Sequence, residues 1–282
     1  MRSTYLKKSL YMTTALIGSA ALGLYTLPSA QAAPVIINGA SGQVTLQTGD
    51  EVTVTGTGVI AAGNGIFGSG GVVATSITNA GTIDGVNAGI YLQNANLSSG
   101  LTNSGSIDGG NTGIYLSSSA SLSNGLTNSG TINGDNVGIY LRTGASLSNG
   151  LINSGTIEGT TIGILMSNGA SLSGGLTNSG LIRGNGITST STSGVLGYGL
   201  RFLDSTITGG ITNSGTITTL FGGIGALLDN STLTGGLTNS GRIEYLRIDS
   251  TSLINGTITN SGTINRFEND GSITGRVDNS GT

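Results

Sequence analysis

One seven-residue motif, written LTNSGTI in its commonest form, returns along the chain at nearly constant spacing, and this constrains the fold more than any other feature. It occurs as Ile77–Ile83, Leu101–Ile107 and Leu126–Ile132, then around Asn153, Asn178, Asn213, Asn239 and Asn260, with looser copies at Asn269 and Asn279. The first intervals between the motif asparagines, from Asn79 to Asn178, are 24, 25, 25 and 25 residues. A period of this length marks a solenoid or an array of stacked units.

Within one period three short segments follow one another, Leu101 to Ile107, Gly113 to Leu116 and Ala120 to Ser123, separated by clusters of Asn, Gly and Ser. They are strand-length, β-branched and alternating, with no i, i+3, i+4 stripe of a helical repeat. Three such strands and three tight turns use up about 25 residues and return the chain above its start, one strand spacing of about 4.8 Å further on. A propeller blade needs four strands and about 40 residues. The expected fold is therefore all-β, a right-handed single-stranded parallel β-helix of about 25-residue coils. Nine or ten units at one strand spacing each would make it about 40–50 Å long.

The alternation assigns faces. Leu101, Ile107, Ile114, Leu116 and Leu122 should point inward, as should Leu126, Ile132, Ile139, Leu141 and Leu147 of the next coil, while Thr102 and Tyr115 point outward. Five buried aliphatics contribute about 8–15 kcal/mol per coil, whereas ordering its residues costs about 1.5 kcal/mol apiece, so no coil folds alone and neighbours must supply the stability. Asparagine tolerates left-handed backbone angles and bonds its own backbone, and glycine takes positive φ freely, so Asn-Ser-Gly reads as the turn. Stacked in register, Asn79, Asn103, Asn128, Asn153, Asn178, Asn213, Asn239 and Asn260 can form a structural ladder of amides.

The period drifts late in the chain. From Asn178 to Asn213 it grows to 35 residues, and the excess near Gly186–Gly199 reads as a loop protruding from a turn. After Asn260 the intervals of 9 and 10 suggest one copy on each side of a coil of about 20 residues. The sequence stops in mid-motif with no polar cap, as a fragment or a truncated frame would. Residues 34–75 lack the motif but alternate cleanly and read as an N-terminal cap, leaving 76–282 as the repeat region.

Residues 1–33 read as a secretory signal peptide: Arg2, Lys7 and Lys8 precede an apolar run from Leu10 to Leu27, and Ala30-Gln31-Ala32 fits a cleavage site. Removing it takes three basic residues and no acid, moving the formal charge from −3 to about −6. Seven arginines against thirteen carboxylates make a poor phosphate binder, which argues against nucleic acid as a partner. With 52 glycines, 8% charged residues, no cysteine and no histidine, disulfides, thiolate or histidine metal sites and Ser-His chemistry are excluded. No enzymatic activity and no cofactor are expected.

The export signal, the absence of cysteine, the scarcity of charge and the tandem units such as Leu126–Gly134 and Leu151–Gly159 together resemble the passenger region of bacterial autotransporter adhesins. The likeness runs from about Val35 to the end of the chain. It implies export through the inner membrane and then display on, or release from, the surface of a Gram-negative cell, with adhesion or autoaggregation as the frequent role. The family pattern includes a C-terminal outer-membrane β-barrel translocator, which no stretch of this sequence matches. Exoproteins of two-partner secretion are similar β-helices without a barrel.

Three surface features stand out. Tyr91, Tyr115 and Tyr140, continued by Leu165 and Arg201, should form an outward column able either to stabilise the ladder or to contact a glycan, a host surface or a second solenoid. Asp84, Asp108, Asn133, Glu158 and Arg183 should form another, whose adjacent carboxylates invite comparison with a retaining glycosidase pair or a weak Ca²⁺ site, although each residue also suits a solubilising place before a turn glycine. Gly63-Asn-Gly-Ile-Phe-Gly68 matches a dinucleotide-binding pattern literally, but no helix-forming segment follows and it reads as a loop. The Ca²⁺-binding nonapeptide GGxGxD does not recur. The expected function is a structural and adhesive surface element, with a polysaccharide-binding or polysaccharide-cleaving β-helix and an inert spacer as alternatives.

Overall fold

The computed structural model describes residues 32–186 and 197–282. These residues form a parallel β-solenoid with no helix among them. Each regular coil runs through four short strands rather than three. In the coil that begins at Leu101 they are Leu101–Asn103, Ser106–Gly109, Thr112–Ser117 and Ser121–Leu122. The expected single segment from Leu101 to Ile107 is broken at Ser104-Gly105, where the chain turns a corner.

Every strand pairs in parallel with its equivalent one coil on. Leu101 lies opposite Leu126, Ile107 opposite Ile132, Ile114 opposite Ile139 and Leu122 opposite Leu147. The first strands build an eleven-stranded sheet and the fourth strands a nine-stranded one. The second and third strands form two adjoining ladders, and in Thr82–Gln93 one strand runs through both. All ten aliphatics assigned inward are at most 3% exposed, Thr102 is exposed and Tyr115 is half-buried. Like therefore stacks on like in one continuous apolar core. This suits an alternating sequence, because a slip of one residue would turn the whole set outward.

The motif corner works differently from the turn expected of it. The motif glycines do not adopt positive φ; they are required by close approach. A Cβ on Gly130 would lie 2.0 Å from the carbonyl oxygen of Gly105, and one on Gly155 would lie 2.0 Å from that of Gly130. The left-handed residues sit instead at two other corners: between third and fourth strands, where Asn94, Thr143, Asn168, Asp204 and Asn230 have φ of 48, 55, 54, 50 and 47°, and between the fourth strand and the next coil, at glycines such as Gly100, Gly125 and Gly150. Asn and Asp populate this region more readily than other residues with a side chain.

Residues 34–75, read as the N-terminal cap, carry strands in register with the coils that follow. Val35–Ile37 pairs with Glu51–Val54, which pairs in turn with Ser76–Asn79. The motif is missing here, yet Glu51-Val-Thr-Val still directs Val52 and Val54 inward, and both are fully buried. The Gly63–Gly68 segment, read as a loop, lies inside the strand Val59–Ser69. Gly65 and Gly68 serve packing, since a Cβ on Gly65 would come within 2.6 Å of the Gly89 carbonyl oxygen and one on Gly68 within 3.0 Å of the Leu92 side chain, whereas Gly63 has nothing within 4 Å.

The 35-residue interval leaves the register intact, because Asn178 still stacks on Asn213. The protruding-loop reading falls mostly on residues outside those described, as does the signal-peptide reading of 1–33. Of the two late copies, Asn279 pairs with Asn260 in the first-strand sheet, whereas Asn269 pairs with Ile248 in the third-strand ladder.

Candidate functional site

Two asparagine columns run along the solenoid, and their chemistry is opposite. The motif column is buried and saturated. Side-chain amides pass from one coil to the next, from Asn79 to Asn103 at 2.7 Å, Asn103 to Asn128 at 2.7 Å, Asn128 to Asn153 at 2.8 Å and Asn153 to Asn178 at 2.8 Å. The ladder continues through Asn213, Asn239 and Asn260 to Asn279 at 2.7–2.8 Å. Each Nδ2 also donates to its own corner glycine and to a carbonyl of the next coil, as Asn128 does to Gly130 and Thr156, both at 3.2 Å. From Asn79 to Asn239 these residues are 0% exposed. They hold the corner and offer nothing to a ligand.

The second column lies at the corner between second and third strands. The backbone N–H of Asn111 donates to the carbonyl of Asn87, and that of Asn136 to the carbonyl of Asn111, which stacks the three residues. Their side chains are exposed, and their amides make no hydrogen bond to any described residue. Sequence reasoning passed over this column, although the recurring Asn-x-Gly-Ile-Tyr pattern at Asn87, Asn111 and Asn136 carries it.

Four residues after each of these asparagines stands a tyrosine. Tyr91 and Tyr115 stack with centroids 4.9 Å apart and planes 7° apart, and Tyr115 and Tyr140 with 5.2 Å and 15°. Phe67 extends the row, tilted by 49° at 5.6 Å from Tyr91. It was missed because its segment read as a loop, and because a β-bulge between Ala62 and Asn64 sets Asn64 opposite Ala88 rather than Asn87. Tyr91 and Tyr115 each have an aromatic ring on both sides, so their free surface is ring edge and hydroxyl rather than open face. Offset stacking of this kind contributes about 0.5–1.5 kcal/mol per pair beyond burial. The Tyr140 hydroxyl lies 3.2 Å from Ser167 Oγ.

Between the asparagine column and the rings runs a groove of about 240 Å³, walled by Asn64, Asn87 and Asn111 on one side and by Tyr91 and Tyr115 on the other, with Ala88 and Thr112 as its floor. It contains no carboxylate and no cation. Along the strand, Arg142 stands two residues beyond Tyr140, at the end away from the asparagines. A hydrogen bond that the Arg142 guanidinium donates to the Tyr115 hydroxyl oxygen, followed by electrostatic interaction with Tyr140 and Tyr115, holds that guanidinium above its ordinary value. Beyond Tyr140 both columns change together, to Leu165 in one and Thr161 in the other.

The carboxylate column has the expected register, Asp84 beside Asp108, then Asn133, Glu158 and Arg183. Asp108, Glu158 and Arg183 among its members are engaged. Ser106 Oγ donates to Asp108, while Glu158 receives Arg183 Nη2 and Asn185 Nδ2, each at 2.7 Å. Among the described residues no three Asp or Glu side chains converge as a metal site would require. Comparison with protein-family models, curated proteins and solved structures finds no match to this chain.

Proposed function

We propose that this chain is an adhesive surface element, a stiff rod exported by a Gram-negative cell in the manner of an autotransporter passenger, which makes contact through the face bearing Phe67, Tyr91, Tyr115 and Tyr140. The observation that carries this reading is the aromatic row itself, four side chains deep on an outer face and bordered by a groove with exposed amides. Aromatic side chains supply much contact energy for little lost rotamer freedom, and a row along the rod axis repeats the same contact once per coil. The export route rests on the resemblance of the repeats and on the N-terminal segment. No catalytic role is assigned to the neighbouring column, where Ser106 holds Asp108, and Arg183 and Asn185 hold Glu158.

Beads coated with the whole purified chain test the reading. Tyr115→Ser should abolish bead adhesion or autoaggregation while leaving the circular dichroism unchanged, because Tyr115 faces outward and its loss opens no core cavity. Equal adhesion by the variant would contradict the proposal.

A further inference from the structure

The free asparagine column and the aromatic row rise and end together. Asn87, Asn111 and Asn136 accompany Tyr91, Tyr115 and Tyr140, and an offset Asn64 accompanies Phe67, whereas the next coil replaces both at once with Thr161 and Leu165. Core positions show no such break, since Ile139 is followed by Ile164 and Leu141 by Met166, all buried. Packing therefore does not explain why the two outer columns stop at the same coil. A shared ligand that touches both does.

The groove limits what that ligand can be. With no ionisable group lining it other than the tyrosine phenols, it offers an anion or a cation no counter-charge. The backbone of Thr112–Ser117 is paired with the coils on both sides, so an added peptide strand finds no free edge there. What each rung does offer is a carboxamide, with two donors and one acceptor, facing a phenol edge and hydroxyl. Rungs recur at about 4.8 Å, so the matching partner is a polymer that repeats neutral hydroxyl and ether groups along its length.

We propose that this groove binds an uncharged polysaccharide chain lying parallel to the solenoid axis, with the Asn87 and Asn111 amides bonding its hydroxyls and Tyr91 and Tyr115 forming the opposite wall. The proposal gives the adhesive face of the preceding section a ligand and rests on that reading, but it is tested by binding alone. Affinity should grow with chain length until the oligomer spans the rungs and then level off, because each added sugar meets another rung as an intramolecular contact.

An array of immobilised gluco-, manno- and N-acetylglucosamine oligomers of graded length, printed beside uronic acid oligomers, is probed with the whole chain. Binding to at least one uncharged series, rising with length, is expected. Asn111→Ala and Asn87→Ala should each weaken it about tenfold, the worth of one well-made hydrogen bond. Asn124→Ala, on another face, should leave it unchanged. No signal from any uncharged oligomer, equal binding by Asn111→Ala, or preferential capture of uronic acids that is lost in Arg142→Gln would each overturn the proposal. If glycan binding is absent while bead adhesion is still abolished by Tyr115→Ser, the polysaccharide falls and the adhesive face stands. If Asn111→Ala loses glycan but Tyr115→Ser adheres normally, the groove stands and the adhesive reading falls.

Discussion

Removing one rung of the buried amide ladder has a cost that can be worked from its neighbours. Asn128 is fully buried, accepts from Asn103 Nδ2 at 2.7 Å and donates to Asn153 Oδ1 at 2.8 Å. Asn128→Ala leaves a donor below and an acceptor above without their partner, and an orphaned buried polar group costs about 1–3 kcal/mol. Asn103 Nδ2 keeps Gly105 and Thr131 as acceptors, so the total should be about 2–4 kcal/mol. The double variant Asn128→Ala/Asn153→Ala also leaves only two orphans, now Asn103 and Asn178. It should therefore cost well under the sum of the two single changes, with a coupling of about 2 kcal/mol. Solenoids do not unfold as one unit, so the measurement is amide exchange at Ser129 and Gly130, whose N–H groups both donate to the Asn103 carbonyl. A single-variant change below about 0.5 kcal/mol, or strict additivity in the double variant, would refute the ladder as a source of stability.

Other expectations follow from the same geometry. Gly130→Ala places a methyl 2.0 Å from the Gly105 carbonyl oxygen and should destabilise by about 3 kcal/mol, whereas Gly42→Ala, with nothing within 4 Å, should be silent in thermal melts. Deleting 126–150 joins Gly125 to Leu151, which already occupies the register of Leu126. The shortened chain should keep its circular dichroism and lose one strand spacing, about 4.8 Å, in length by small-angle scattering; collapse of the β signal would contradict interchangeable coils. Glu244 has its carboxyl held below the usual range, first by a hydrogen bond from Asn265 and then by Arg242. Its depressed folded value means that its contribution is present above the ordinary glutamate range and is lost as pH falls through the folded value. Protection factors in the strand Phe267–Asn269, corrected for the intrinsic pH dependence of exchange, should fall on acidification, and less so in Glu244→Gln; equal acid sensitivity in both would refute the assignment. Ca²⁺ should leave the melting temperature unchanged, because Asp108 is engaged by Ser106; a rise on titration would reveal a cation site at Asp84 and Asp108.

The period and the alternation made most of the fold legible, since they settle which residues point inward and which coils lie adjacent. Three features were not legible for physical reasons. The Asn-Ser-Gly corner suggested left-handed turns because Gly and Asn are the residues that tolerate them, but a glycine demanded by an oncoming carbonyl looks identical in sequence to one demanded by φ. Val52 and Val54 lie in coils that lack the motif, so a motif search ends before the solenoid does. Phe67 hid in a glycine-rich stretch, where Gly65 and Gly68 serve close packing inside a strand. Of the candidate site, the tyrosine column was readable from the repeat. The groove was not, because the buried Asn103 and the exposed Asn111 differ only in which corner they occupy.

The account depends on each coil resting in register on the one before, including across the long interval. Spin labels at the outward threonines Thr102, Thr177, Thr212, Thr238 and Thr259 measure this by pulsed dipolar spectroscopy, because these residues share one column with Thr127 and Ile152. Distances from Thr102 should increase linearly by about 4.8 Å per coil, with Thr177 three coils on, and the step from Thr177 to Thr212, though 35 positions apart in sequence, should equal the one-coil steps from Thr212 to Thr238 and from Thr238 to Thr259. A distance that grows with sequence separation rather than coil number, or a zigzag that returns towards Thr102 as antiparallel hairpins would, contradicts the account.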